Sequence, residues 1–315
     1  MVFWFNQGEK VNSLLGSIEA GGTKFVCALG RGPEHIHKEI SFPTKKPQET
    51  IREAIQFFRQ QEKTCGKIQA LGIGCFGPVN LDKSSPAYGS ITSTPKKDWE
   101  NTQVYRAWAQ EFDIPIGLDT DVNVAALGEW SWGAAQGLDT FVYLTFGTGV
   151  GGGGMSRGQL LHGLVHPEMG HMKIPHDIKR DPYLGNCPFH GDCWEGLASG
   201  PAIEKRWGQG AKELPSDHAA WKLEAEYIAV GLLNIICVLS PQKIILGGGV
   251  MQQGHLFDMI RKQVVELLNG YVRSPAIEEN IHNYIVPPEL GNRAGILGGL
   301  ALAQQALNQQ IQGPK

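Results

Sequence analysis

No stretch of this sequence stays apolar for the roughly 20 residues that a membrane-spanning helix needs. The opening segment MVFWFNQGEKVNSLL has neither the basic start nor the long apolar core of an export signal, so a cytoplasmic protein without a membrane partner is expected. Charge of one sign is also missing: 28 Lys and Arg against 31 Asp and Glu leave a net charge of −3, which gives no general pull toward nucleic acid or anionic lipid. The six cysteines form no paired framework; Cys27, Cys65, Cys75 and Cys237 are scattered and read as small core residues. No G-x-x-x-x-G-K-[S/T] stretch occurs, which excludes a P-loop nucleotide site. With 42% hydrophobic and 19% charged residues, a disordered chain is excluded as well.

Glycine is what the chain has in excess: 41 residues, many in clusters, where backbone must turn sharply or approach a ligand closely. Residues 1–13 read as a loose extension. Strand 14–18 runs into Glu19-Ala-Gly-Gly-Thr-Lys24 and a second strand, 25–29, so the glycines mark a hairpin. Ile51, Ala54, Ile55 and Phe58 predict a helix over 47–62. A buried strand over 68–75 ends in Phe76-Gly77-Pro78. A helix over 104–112 follows, then a strand over 114–118 that delivers Asp119-Thr120-Asp121, and a helix over 122–132. A second cycle then begins, with strand 140–145, a glycine hairpin over 146–154 and strand 155–160. Helix 224–239, strand 243–246 meeting Gly247-Gly248-Gly249, helix 256–268 and a small-residue helix over 294–304 complete it. At 315 residues, two lobes are expected, facing each other across a ligand-binding cleft.

Gly72-Ile-Gly-Cys-Phe-Gly77 and Gly149-Val-Gly-Gly-Gly-Gly154 match the dinucleotide fingerprint literally. Neither opens a helix: Pro78 follows the first, and the second lies between two strand-like runs. Glycine turns still bind phosphate through exposed N–H groups without a lysine. Gly21-Gly22-Thr23 and Gly147-Thr148-Gly149 each set a hydroxyl beside such a turn, and Gly247, Gly248 and Gly249 suit close approach by a nucleotide ring or ribose.

Cys187-Pro-Phe-His190-Gly-Asp-Cys193 places three potential ligands at intervals of three, with His171 upstream. Two thiolates and two imidazoles suit a closed tetrahedral zinc site. With all four positions filled by protein, such a zinc is structural and pins the Pro- and Gly-rich loop over 177–192. His162, His166 and His176 lie nearby without comparable spacing and read as surface or satisfied residues.

Ile18-Glu-Ala-Gly-Gly-Thr-Lys24, Asp119-Thr-Asp-Val-Asn123, Leu144-Thr-Phe-Gly-Thr-Gly-Val-Gly-Gly-Gly153, Glu168-Met-Gly-His171 and Ile244-Ile-Leu-Gly-Gly-Gly249 together, in this order, resemble the ROK family of sugar kinases over about residues 14–300. The resemblance implies an α/β, two-lobed actin/Hsp70/hexokinase-like ATPase fold. It divides the chain into 14–121 plus 295–315, with the first phosphate turn and part of the sugar site, and 122–294, with the second turn, the zinc loop and the adenosine site. Glu19, Thr120 and His190 in the zinc loop are similar to the fructokinase branch. Val124 departs from the small residue expected there.

By the same resemblance Asp121 is the general base that takes the sugar hydroxyl's proton, with Asp119 its local rival. An Asp at a strand end otherwise reads as a helix N-cap. ATP and Mg²⁺ are implied, with Glu19 acting through Mg²⁺, Thr23 and Thr148 on phosphate oxygens and Lys24 adding charge. Glu168, Asn123 and the loop Gly77-Pro78-Val79-Asn80 are the expected sugar contacts. The expected reaction makes fructose 6-phosphate from D-fructose and ATP. Glucose, mannose, N-acetylated hexosamines and allose are alternative acceptors, and a non-catalytic sugar sensor is the alternative of another class. Family regulators carry a DNA-binding domain ahead of the first phosphate motif, where only residues 1–13 stand here. A homodimer is the family's habit.

Overall fold

The computed structural model describes residues 13–312, so most of the loose extension expected over 1–13 lies outside the described residues. Two compact units make up the chain. The first holds residues up to Gln136, Leu160–His166 and those from Arg293 onward; the second holds Gly137–Gln159 and Pro167–Asn292.

In the first unit, β1 (Leu15–Ala20) and β2 (Lys24–Gly30) form the hairpin predicted around Gly21 and Gly22, and β3 (Ile36–Pro43) extends it antiparallel. Helix α1 (Pro47–Cys65) starts with Pro47 in its first turn and buries Thr50, Ile51, Ala54, Phe57 and Phe58 on one face. Next come β4 (Ala70–Cys75), α2 (Val104–Ala109), β5 (Ile116–Thr120) and α3 (Asp121–Trp132). β4 and β5 join β1 in parallel, giving the order β3-β2-β1-β4-β5. Phe58, Trp99 and Trp108 are fully buried here, and such a side chain stabilises by roughly 1.5–3 kcal/mol.

The second unit repeats this plan. β6 (Phe141–Phe146) pairs antiparallel with β7 (Val150–Ser156), followed by β8 (Gln159–Leu160). Helices α4 (Trp194–Ala198), α5 (Gly200–Trp207) and α6 (Ala220–Leu239) precede β9 (Ile244–Gly247). Then come α7 (Leu256–Leu268), α8 (Pro275–Glu278), α9 (Ile281–Tyr284) and β10 (Ile285–Val286). The order β10-β9-β6-β7-β8 mirrors the first sheet, with β6 central and β9 and β10 parallel to it. The glycine run predicted as a turn is itself strand: Gly151–Gly154 pairs with 142–145, and the turn shrinks to Gly147–Gly149. A side chain at Gly152 would meet Met169 and Leu144 within 2.8 Å, so close packing rather than turning requires glycine there.

Helix α10 (Ala294–Gln312) closes the first unit against α3, β4 and β1. A Cβ at Gly128 would collide with the Ala294 carbonyl, and one at Gly298 with that of Val124, so small residues let the two helices touch backbone to backbone. This contact moves α3 into the first unit, and the division expected after Asp121 falls after Gln136. Val124, fully buried, packs against Gly74 in the same layer.

Candidate active site

The first phosphate turn follows β1. Gly21 N–H donates to Lys24 O (3.1 Å), and a Cβ on Gly21 would press on that oxygen at 2.8 Å. The turn's carbonyls are all taken. Thr44 Oγ1 donates to Gly21 O (2.7 Å), the Lys96 ammonium to Gly22 O (2.6 Å) and Thr44 N–H to Thr23 O (2.9 Å). Lys24 is exposed. Glu19, one residue before the end of β1, is pushed up to about 7, first by burial and then by the charge of Asp121, with Lys24 opposing. A Cβ at Gly295 would crowd its carboxylate at 2.6 Å, so that glycine in the first turn of α10 makes room for it.

Asp121 is the first residue of α3, and the helix cap falls elsewhere. Thr120 Oγ1 accepts the Asn123 N–H (3.2 Å) and is the N-cap. Asp121 accepts the Val122 N–H (2.9 Å) and keeps partial contact with solvent. The dense protein around its carboxyl pushes it up to about 6, against the lowering effect of backbone donors. Its rival differs. Asp119 is 4% exposed and held by three neighbours. Thr120 N–H (2.8 Å) and Asn123 Nδ2 (2.9 Å) donate to Oδ1, and His162 Nε2 sits 2.8 Å from Oδ2. Three donors on one carboxylate fix its position and compete with a substrate proton for its lone pairs.

Asn123, expected to touch the sugar, is fully buried and gives its amide to Asp119 and to Leu161 O (3.2 Å). It orients other groups. The segment 160–166 is thereby tied down at three points: Leu161 O, His162 and His166. His166 Nε2 accepts the Val79 N–H at 3.1 Å within the loop Gly77-Pro78-Val79-Asn80. Asn80 spends its side chain on Asp82 N–H (3.0 Å) and Ser85 (3.3 Å). Reading His166 as satisfied holds, but its partner is the candidate sugar loop. His166→Ala should raise the hexose KM by roughly threefold to tenfold, the worth of one buried hydrogen bond, with a smaller effect on kcat. Steady-state kinetics checks this, and an unchanged KM removes His166 from loop positioning.

In the second unit, Gly147 N–H donates to Gly149 O (2.8 Å), and Gly147 O accepts the Gly200 N–H (2.8 Å) at the start of α5. Glu195 Oε2 accepts the Val150 N–H (3.1 Å) and fills the space beside Gly149, where any Cβ would collide with it. Thr148 lies at the tip of this turn. After β9, Gly248 has φ +91° and abuts the Phe146 backbone, while Gly249 faces open space.

His171, Cys187, His190 and Cys193 converge, with one ligand atom from each lying within 4.8 Å of the others. Cys187 Sγ is 3.7 Å from both His171 Nδ1 and His190 Nδ1, and Cys193 Sγ is 3.6 Å from His171 Nδ1. Tetrahedral zinc with ordinary bond lengths spaces sulfur and nitrogen about 3.5–3.6 Å apart. The donor set and the spacing therefore fit zinc. His171 Nε2 points the other way, 3.9 Å from Glu168 Oε2, as a metal-bound histidine does toward a supporting carboxylate. The loop has a second anchor that the sequence did not disclose. Buried Asp181 accepts from Tyr227 Oη (2.7 Å) and Arg206 Nε (3.2 Å), and its carbonyl lies 3.0 Å from His176 Nε2. The segment expected to be pinned by metal therefore has a protein anchor beside the metal cluster.

Two sheets of one topology, each with a glycine turn on its leading hairpin, define the actin- and hexokinase-like ATPase fold. The chain belongs to the ROK family, whose model matches residues 15–306. A Bacillus subtilis protein with a provisional fructokinase name is 52% identical over 94% of this chain and 97% of that protein. The fructokinase of Pediococcus pentosaceus is 44% identical over 93% and 99%. A Streptomyces griseus ROK glucokinase, solved with glucose and AMPPNP, superposes with a TM-score of 0.74 at 26% identity, covering 93% of this chain and 100% of that one. Among the described residues no helix is long and apolar enough to cross a membrane.

Proposed function

We propose that this protein transfers the γ-phosphoryl group of ATP to the 6-hydroxyl of D-fructose, with Asp121 as general base. The observation that carries the reading is the division of labour at the β5–α3 junction. Thr120 caps the helix and Asp119 is locked by its neighbours, which leaves Asp121 with a raised proton affinity and access to solvent. A base that works near neutral pH needs this combination.

The remaining roles follow from chemistry. Gly21 and Gly147 spend their N–H groups closing the two turns, and Gly22 and Thr23, with Thr148 and Gly149, present N–H and hydroxyl groups for phosphate oxygens. Gly247, Gly248 and Gly249 suit the nucleoside. Glu19, whose proton affinity is raised beside Asp121, suits a Mg²⁺ ion held through water, which removes the repulsion between the two carboxylates. Magnesium supplies charge neutralisation on the phosphates. Asn123 acts on the sugar through Asp119 and the 160–166 segment rather than by direct contact. Glu168 is the carboxylate for the sugar hydroxyls, with His171 beside it. Zinc, where the cluster holds it, is structural.

Fructose is favoured by the names of the relatives at 44–52% identity. The deciding experiment scores a panel of hexoses by kcat/KM and identifies the phosphorylated position. Fructose should exceed glucose and mannose by about tenfold or more, since a site built around one hydroxyl pattern leaves buried groups unpaired with another. Equal rates on all three would sink the fructose assignment while leaving the kinase standing.

A further inference from the structure

We propose that Lys96 is a positioning residue that builds and charges the first phosphate turn, acting through the Gly22–Thr23 peptide. This rests on the kinase reading of the turn. Lys96 lies far along the chain from the turn, in the loop Thr94-Pro95-Lys96, and its ammonium bridges Gly22 O (2.6 Å) and Thr44 O (3.1 Å). No carboxylate lies within 4.0 Å of it among the described residues. The loop that carries it is anchored by Trp99, which is fully buried against Phe25 (5.5 Å) and Phe76 (5.4 Å) and donates from Nε1 to Lys45 O at 2.8 Å.

The consequence comes from peptide geometry. The only cis bond among the described residues is Gly77–Pro78, so the turn's peptides are trans, and each carbonyl points opposite to the N–H that follows it. Thr44 and Lys96 draw the carbonyls of Gly21, Gly22 and Thr23 toward themselves. The N–H groups of Gly22 and Thr23 are thereby turned the other way, as donors for an anion. A fixed positive charge on the carbonyl of a peptide also polarises it, making the N–H on the far side a stronger donor. Lys96 thus supplies the cation that a P-loop takes from its own lysine, but from behind the backbone. Preorganised donors of this kind favour the charge-spread phosphoryl group of the transition state more than they favour the neutral sugar.

The test uses the full-length protein with MgADP and fructose as separate probes in calorimetry, alongside kinetics. Lys96→Gln keeps an N–H donor and removes the charge; Lys96→Arg keeps both. For Lys96→Gln, kcat/KM for MgATP should fall about 30–100-fold and the MgADP Kd should rise about tenfold. The fructose Kd without nucleotide should move less than about twofold, because the sugar has no phosphate to meet the turn. Lys96→Arg should recover all but about fivefold of the loss. Thr44→Val provides the same signature at about threefold should Lys96→Gln fail to fold. A nucleotide Kd and kcat/KM within about threefold of wild type for Lys96→Gln overturn the proposal. So does an equal loss of fructose affinity, or a loss that Lys96→Arg does not recover. A wild-type protein that phosphorylates no hexose would instead overturn the proposed function, and the MgADP measurement would still decide Lys96.

Discussion

Asp121→Asn lowers kcat by about 10²–10⁴-fold and leaves the fructose KM within a few-fold. Asparagine keeps the size of the side chain and still accepts the Val122 N–H through its carbonyl oxygen, so α3 begins as before. What disappears is the capacity to accept a proton. Asp119 cannot take over, because its oxygens are held by Thr120, Asn123 and His162. The pH profile gives an independent reading. A general base works above its pKa, so wild-type kcat/KM should fall on the acid side between about pH 6 and 7, the range into which burial pushes both Asp121 and its neighbour Glu19. That limb should flatten in the variant.

Stability moves in the opposite direction. An unfolded aspartate titrates near 3.9, so the folded state, with Asp121 at about 6, holds the proton more tightly. The favourable contribution of the protonated form is complete below about pH 4 and is lost as pH rises through about 6. At pH 7.5 the wild type therefore bears the full cost of a desolvated carboxylate, and the variant does not. Its melting temperature should equal or exceed the wild type's at pH 7.5, with the gap closing toward pH 4. Near-normal turnover in the variant removes Asp121 from the mechanism. A collapse in melting temperature would show that the carboxylate is structural instead.

The parts of the site that were legible in the sequence are those with a local signature. The turns at Gly21–Gly22 and Gly147–Gly149 lie between strands, and a glycine with Lys24 O pressing on its Cβ position can hardly be anything else. The metal cluster has short spacing on one loop. Lys96, His162 and His166 had no such signature, because each acts on a partner at least 43 residues away. A lysine before a tryptophan, or a histidine on an exposed loop, looks the same whether or not it meets a carbonyl across the fold. The Asp181–Arg206–Tyr227 anchor was hidden for the same reason. The lobe boundary was misplaced because α3 follows the strand that ends the first sheet, while its packing partner, α10, lies more than 160 residues later. Conversely, Gly151–Gly154 read as a turn because glycine is permissive. It is a strand because it pairs with β6, and at Gly152 Met169 and Leu144 leave no room for a side chain.

Cys187→Ser should take bound zinc from about one equivalent to near none and lower the melting temperature by roughly 5–10 °C, a few kcal/mol at this chain length. A serine hydroxyl is a weak zinc ligand, and the three remaining donors leave an open position where a structural site is closed. Without the metal, burial, opposed by a Gly196 backbone donor, and then the adjacent Cys187 thiol push Cys193 up to about 11, so the Cys193 sulfur does not settle as a thiolate unaided. The loss should stop short of unfolding. Asp181, held by Arg206, Tyr227 and His176, still fastens the loop at its other end, and Trp194 keeps the start of α4 in the core. The functional consequence runs through one side chain. His171 presents Nδ1 to the cluster and Nε2 toward Glu168, so releasing the ring releases the carboxylate proposed to hold the sugar. The fructose KM should therefore rise by about tenfold while the MgADP Kd stays near the wild-type value. Combining Cys187→Ser with Asp181→Asn should cost more than the sum of the two, since each anchor alone keeps the loop in place. Metal analysis on the purified single variant is decisive: a full equivalent of zinc refutes Cys187 as a ligand, and an unchanged fructose KM in zinc-free protein separates the metal from the sugar site.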